Sequence, residues 1–492
     1  VSGWGLPPLT DWGQILYSAF RPETYGADPT GQSDSTSALV ACRAAAVAAA
    51  APVWLEGTYV IGSTQTLQAG EWLHLANRSS RIIGNFSGSR LFQSAGFGTP
   101  TKANDIRIDG PGRIGRSAIG QSGDILGIYG DRFTMLETVI DTFSQGRAFY
   151  GGGDHHYVWR VKAQVNDGLT GTGGWRFAVG RYSRMIQLDI SSGDDALQLV
   201  PEGNGANSMF NVGDIEHTWY ESCVGQSAAA RGIAVLFVAN GSGLGQMSTN
   251  IRYCGFRDCD VIGNARGLVI ENLDSYGEIS DIVLAGCSFD LTGAQTTFAE
   301  DCLVWENPAN AAFFTGGHVL GPLRAITLED LSITNSVAQQ APLRAIGAVE
   351  NLVIERPKLY LPASASGCLI ELTGGTTYRI KGGYLDGQSA AHPVVLIGAG
   401  GVLTNDAQVD GTRIVGIGSS QYAVNANAAP GFHMRRTRCE PGATQTLTKG
   451  FRTGATTTNA RVRDNDFGAL GATPFTDLGT GTQHSGNVGM GD

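Results

Sequence analysis

Short stretches of alternating apolar and polar residues return along most of this chain at intervals of roughly 24 to 31 residues, and that period limits the fold more than any other feature. The series runs DIRID from Asp105, RFTML from Arg132, YVWRV from Tyr157, RMIQLDI from Arg184, FNVGDI from Phe210 and IRYCGF from Ile251. It continues through DIVLAGCSF from Asp281, AITLEDLSI from Ala325 and NLVIERPKL from Asn351 to VRDNDF from Val462. Alternation turns one side of each strand inward, and Gly, Asn, Asp and Ser at the ends turn the chain. One repeat cannot bury its apolar side alone. Stacking the repeats in parallel, one coil per repeat, gives a continuous core and predicts an all-β solenoid of about 13 coils. A propeller would need four hairpin-linked strands per unit with a recurring aromatic signature, which the sequence lacks. Longer intervals after Phe210 and Asp281 leave room for inserted loops.

Composition agrees with many short strands and tight turns: 70 of 492 residues are Gly, and only 16% are charged. The net charge of −10 argues against nucleic-acid binding, which needs a basic face. An acidic polysaccharide is repelled on average as well, although a local basic groove can still hold one. The eight Cys show neither a CxxC pair nor a zinc spacing with His, so no metal site is expected. Cys223, Cys254 and Cys287 recur about 30 residues apart in similar apolar settings, which predicts stacked interior thiols. No run approaches the roughly 18 apolar residues of a membrane span, and VSGWGLPPLTDW lacks the pattern of a signal peptide. The chain begins without Met, which suggests a processed product or a fragment.

The opening differs from the repeats. In SDSTSALVACRAAAVAAAAP, Asp34 or Ser35 can cap a helix over 35–49 that stops before Pro52, and VWLEGTYVIGS then reads as strand, turn, strand. Such a helix would cover the open end of the stack, whose strand edges are otherwise unpaired. We divide the chain into an N-terminal extension at 1–25, a cap with the first coils at 26–100, and the solenoid body at 101–492. Trp4, Trp12 and the rest of the extension are expected outside the solenoid, packed on the cap or on a neighbouring chain.

YGADPTGQSDSTSALVACRAAA followed by PVWLEGTYVI resembles the start of the pectate-lyase-like right-handed parallel β-helix proteins, through Gly26, Ala27, Asp28, Gly31, Asp34, Thr36, Ala38 and then Gly57, Thr58 and Tyr59. The motif covers about 40 residues and speaks to fold, because hydrolases, lyases, epimerases and phage tailspikes share it. The resemblance implies a right-handed parallel β-helix.

The stretch SGDDALQLVPEG at 192–203 places two carboxylates side by side, and paired carboxylates are the usual tools of glycoside hydrolysis. Its surroundings resemble the polygalacturonase family, in which an Asp pair follows an Asn-Thr-Asp and precedes Gly-His-Gly and Arg-x-Lys motifs. Asp194 and Asp195 match the pair. Gly173 stands at the first Asp, Arg231 stands where the His belongs, and Gly267 to Glu271 lacks the Arg and the Lys. On the residues present we assign Asp195 as general acid, Asp194 as base or water holder, and the nearby Asp167 as reserve base in place of the missing first Asp. Glu202 is a further local carboxylate.

GGGDHHYVW brings His155 and His156 to a preceding coil, where only one of two adjacent side chains can face a groove. DIEHTWYESC adds Glu216, His217, Trp219 and Tyr220; aromatic faces stack on sugar rings, and aromatics on alternating strands also build cores. Arg231 can clamp a sugar carboxylate or neutralise the Asp pair.

The expected substrate-binding set is Arg231, His155, His156, Glu202, His217 and Trp219, with no cofactor and no metal ligand. The reading is a polysaccharide-binding and polysaccharide-cleaving protein of phage-tailspike type. It would stand on a virion surface or outside cells, as a homotrimer, with a capsular or exopolysaccharide as partner. A secreted bacterial hydrolase or lyase and a non-catalytic glycan-binding adhesin are the alternatives.

Overall fold

The computed structural model describes residues 19–118, 121–143, 146–165, 173–201, 213–228, 230–237, 249–263, 266–272, 277–291, 302–305, 323–335, 342–347, 349–360, 368–390, 392–417, 422–441, 449–468 and 475–489. The chain divides into two compact units, residues 1–194 with 209–211, and residues 195–208 with 212–492. Within each unit, every strand pairing among the described residues is parallel. Each coil contributes strands to three sheets, here called A, B and C, and the chain is a right-handed parallel β-helix. Among the described residues, sheet A has six rungs in the first unit, from Val53–Leu55 to Arg184–Ile186, and ten in the second, ending at Gln483–Ser485. The sequence periodicity misses the coils at Val53, Trp72 and Gln483, whose strands have only three or four residues.

Register follows the alternation. In the first unit, Met135 pairs with Val158 and Val158 with Met185, all fully buried, while their neighbours point outward. In the second unit, Ile215 pairs with Ile251 and Ile251 with Ile279, so one interior column runs through successive coils. The corners are less ordinary. Non-glycine residues at positive φ recur there, among them His155 (62°) and Tyr182 (57°) in the first unit and His217 (49°) and Tyr253 (56°) in the second. A backbone hydrogen bond to the next coil holds each histidine, as in His155 N–H to the Arg181 carbonyl at 2.8 Å. Where the backbones come closest, only glycine fits: a Cβ on Gly153 (φ 137°) would lie 2.0 Å from the Gly130 carbonyl oxygen.

The expected helix spans Thr36–Ala48 with Ser35 as its N-cap residue. The Asp34 carboxylate, rather than the Ser35 hydroxyl, accepts the Thr36 N–H at 2.8 Å. Leu39, Cys42, Arg43 and Ala46 are its buried residues. The buried Arg43 guanidinium reaches into the first coils, ion-paired to Glu71 and donating to the Gln65 side chain at 2.8 Å. Asp28 of the opening motif ties its own loop, accepting the backbone N–H groups of Thr30, Gln32 and Ser33 at 2.8 to 2.9 Å. Thr30, through side chain and backbone, draws the Asp28 carboxyl well below its ordinary range. That motif therefore serves the fold. Part of the extension joins the solenoid, since Phe20 forms a parallel bridge with Val53; residues 1–18, with Trp4 and Trp12, lie outside the described residues.

The seven cysteines whose side chains are described are buried thiols outside any disulfide. Register stacks Cys223, Cys259 and Cys287 in one interior column, while Cys254 stands beside Ile282 in another. Burial pushes the Cys254 thiol up to about 12, which keeps it protonated and unreactive. No helix among the described residues is long and apolar enough to cross a membrane.

Candidate active site

Asp194 ends the first unit and Asp195 begins the second. In the first unit, the bend after the sheet B strand Asp189–Ser192 is fastened by the Ser192 hydroxyl donating to the Asp194 carbonyl at 2.6 Å. The Asp194 side chain is half-buried. In the second unit, Asp195 stands two residues before the sheet C strand Leu197–Leu199, whose partner strand Arg231–Phe237 starts with Arg231. One Arg231 nitrogen donates to both Asp195 carboxylate oxygens, at 3.1 and 3.0 Å, and the Asp195 side chain is only 9% exposed. Of the two roles open to Arg231, charge pairing is the one observed, and it is made with Asp195.

This charge-assisted contact engages the Asp195 carboxylate from the next rung. The first unit carries a similar arrangement. Asp124, two residues before the sheet C strand Leu126–Tyr129, lies 3.2 Å from Arg90 and 3.8 Å from Arg147. An Asp paired with Arg across rungs is thus a repeated device of this fold.

The histidines separate as alternation requires, and His156 must be withdrawn as a sugar ligand. It is 2% exposed; its Nε2 donates to the Gly130 carbonyl at 2.7 Å, and Phe133, Phe149 and Phe177 pack edge-on around it. Burial dominates its titration and lowers the imidazole to about 4, while Asp131, Lys102 and Asp154 add smaller charge effects. The folded state therefore keeps His156 neutral while the unfolded chain takes up a proton below pH 6.5, its ordinary value. This contribution to stability is complete above pH 6.5 and is lost as pH falls toward 4, amounting to about 3 kcal/mol. Thermal unfolding of His156→Phe across that window should show a shallower pH dependence than the wild type; equal slopes would refute the assignment. His155 is exposed and stacks on Tyr182, with ring centroids 5.4 Å apart.

In the second unit the structure brings together side chains that the Asp pair had overshadowed. Asp214 and Glu216 flank Ile215, which points into the core, so alternation turns both carboxylates outward on sheet A. Arg252, one rung on, contacts Asp214 at 3.1 Å and Glu216 at 2.6 Å through the same nitrogen. The two contacted carboxylate oxygens are therefore no more than about 6 Å apart, and paired carboxylates are what glycoside hydrolysis uses. Past the corner at His217, Trp219 stands half-exposed with Arg257 5.0 Å above its ring, while Tyr220 is fully buried. His217 stacks on Tyr253, which is 48% exposed, at 5.1 Å and 13°. This corner and sheet face combine aromatic rings, hydrogen-bonding charges and a carboxylate pair, the chemistry that sugar binding requires.

Within the second unit the candidate residues fall at two places. Arg231 and Asp195 lie where sheet C begins, whereas His217 and Trp219 lie where sheet C gives way to sheet A and on the outer face of A. Asp167 and Glu202 lie outside the described residues. Among the described residues no group of His, Cys, Asp and Glu is arranged to hold a metal ion.

No protein-family model matches this sequence, and no curated protein matches it. Solved structures do match in fold. The hyperthermoactive exopolygalacturonase of Thermotoga maritima is 11% identical, with a TM-score of 0.51 over 74% of this chain and 94% of that one. The tailspike protein of E. coli bacteriophage HK620, solved in complex with a pentasaccharide, is 12% identical, with a TM-score of 0.54 over 92% of this chain and 83% of that one.

Proposed function

We propose that this chain binds a polysaccharide on the outer face of sheet A in its second unit and cleaves it there by hydrolysis, as a depolymerase of tailspike type. The observation that carries the reading is the Asp214–Glu216 pair bridged by Arg252 beside Trp219 and the His217–Tyr253 stack. The fold shared with an exopolygalacturonase and with a tailspike solved in complex with a pentasaccharide supports the choice of a glycan. One carboxylate donates a proton to the leaving glycosidic oxygen, and its partner attacks the anomeric carbon or activates the water that does. Arg252 sets their separation and stabilises whichever is ionised. Asp194 remains a secondary candidate, half-buried at its bend, and Asp195 with Arg231 secures the start of sheet C.

A second reading has its own support. Arg252 neutralises both carboxylates much as Arg231 neutralises Asp195, so the same face would serve a glycan-binding adhesin that cuts nothing. Incubation with a panel of capsular and exopolysaccharides separates the readings. Gain of reducing ends without ultraviolet absorbance marks hydrolysis, absorbance from an unsaturated uronate marks a lyase, and retention of glycan with neither signal marks the adhesin. We place the protein on a virion surface or outside cells and expect a homotrimer; light scattering on the full chain checks the latter.

A further inference from the structure

Farther along sheet A in the second unit, the outward side chains change character. From Trp219 the register passes Gly255, Val283, Thr327 and Val353 to Arg379, five rungs or about 24 Å from the carboxylate pair. The column then continues through Gln408 and His433 to Arg461 and Gln483 without a carboxylate. Lys381, Arg435 and Arg463 stand in the parallel column, where Asp410 is the acidic member from Lys381 onward.

Asp410 is already engaged, with both Arg435 and Arg436 at 2.7 Å. Among the described residues Lys381 and Arg461 make no ion pair, Arg463 donates only to the Gln483 side chain at 3.2 Å, and the Arg379 Nε is buried without a partner. His433 records the crowding: burial first, then the charges of Arg461, Arg435 and Arg463, hold its imidazole below the ordinary value against the opposing charge of Asp406. A protein of net charge −10 thus carries on this face a strip of cations in which Arg379, Lys381, Arg461 and Arg463 make no ion pair among the described residues.

We propose that the outer face of sheet A from Arg379 to Arg463 is a second, non-catalytic docking surface for an anionic polysaccharide. Guanidinium forks match carboxylate and sulfate groups, and rungs about 4.8 Å apart repeat the match along an extended chain. Gln408 and Gln483 supply amides for sugar hydroxyls. A nucleic acid fits less well: His433 is the one aromatic ring among these columns, and duplex DNA, with a charge every 1.7 Å or so, meets the repulsion of the acidic chain.

The inference rests on the reading that the chain handles polysaccharides, and its test is kept apart from catalysis. Full-length protein is run through native gels containing polygalacturonate, neutral dextran or duplex DNA, alongside Arg379→Gln/Arg461→Gln/Arg463→Gln. Polygalacturonate should retard the wild type, less so as salt rises, and dextran should not. The triple variant should bind about tenfold more weakly, the sum expected for three exposed ion pairs, with thermal unfolding unchanged. Equal retardation of variant and wild type overturns the proposal, and so does tighter, variant-sensitive retardation by DNA. Cleavage assays on Glu216→Gln report the other site independently, so either reading can fail while the other stands.

Discussion

Glu216→Gln should lower turnover of a polysaccharide that the wild type cleaves by about 100-fold or more, the scale of a lost general acid or base, while glycan binding and thermal stability change little. Asp214→Asn should behave similarly. Both positions lie on an outer sheet face, so neither substitution opens a cavity, and Arg252 keeps one carboxylate partner in each variant. Asp195→Asn should give the opposite pattern. It removes the charge that Arg231 grips inside a nearly buried contact, so stability should fall by about 1–3 kcal/mol while turnover survives. Initial rates of reducing-end release, read with thermal unfolding on the same samples, compare the three. If Asp195→Asn abolishes cleavage and Glu216→Gln leaves it intact, the chemistry belongs where sheet C begins, and sheet A only binds.

That contrast shows where sequence reading ran out. Asp194 and Asp195 attract notice because they are adjacent, yet adjacency on an extended chain sends two side chains different ways. Asp-Ile-Glu at 214–216 carries the more useful spacing, since residues two apart on a strand share a face. The partners that give these carboxylates meaning lie a coil away: Arg231 is 36 residues from Asp195, and Arg252 is 38 from Asp214. A period of 24 to 31 residues does not fix such a register, because loop lengths change from coil to coil. The same limit applies to His155 and His156. Alternation requires that one face outward, but only the packing of Phe133, Phe149 and Phe177 decides which.

The fold was far more legible, because a solenoid repeats its signal. Parallel stacking and the buried cysteines follow from patterns that successive coils restate, and the Thr36–Ala48 helix from its own cap and Ala-rich run. The corners were not legible. His, Tyr, Arg and Gln occupy left-handed backbone positions, as at His217, Tyr253, Arg160 and Gln187, that local preference would give to Gly or Asn. At His217 and Arg160 a backbone hydrogen bond to the next coil offsets that preference, and it exists only once the stack has formed.

The N-terminal helix offers the second large effect. Arg43 and Glu71 are 5% and 1% exposed, and Arg43 also donates to Gln65 while Glu71 accepts the Gln68 N–H at 2.8 Å. Arg43→Met should therefore cost about 3–5 kcal/mol, because it leaves the Glu71 carboxylate buried without its cation. The double variant Arg43→Met/Glu71→Leu should recover much of that loss, since two apolar side chains of similar length replace a desolvated ion pair. Thermal and denaturant unfolding of the wild type, the single variants and the double variant form the cycle that isolates the coupling. A double variant no more stable than Arg43→Met would mean that the hydrogen bonds to Gln65 and Gln68, rather than the charge pair, bind the helix to the first coils. Recovery would identify the ion pair as the tie between them, and loss of that tie should expose the edge of the first coil to proteolysis before the rest of the first unit unfolds.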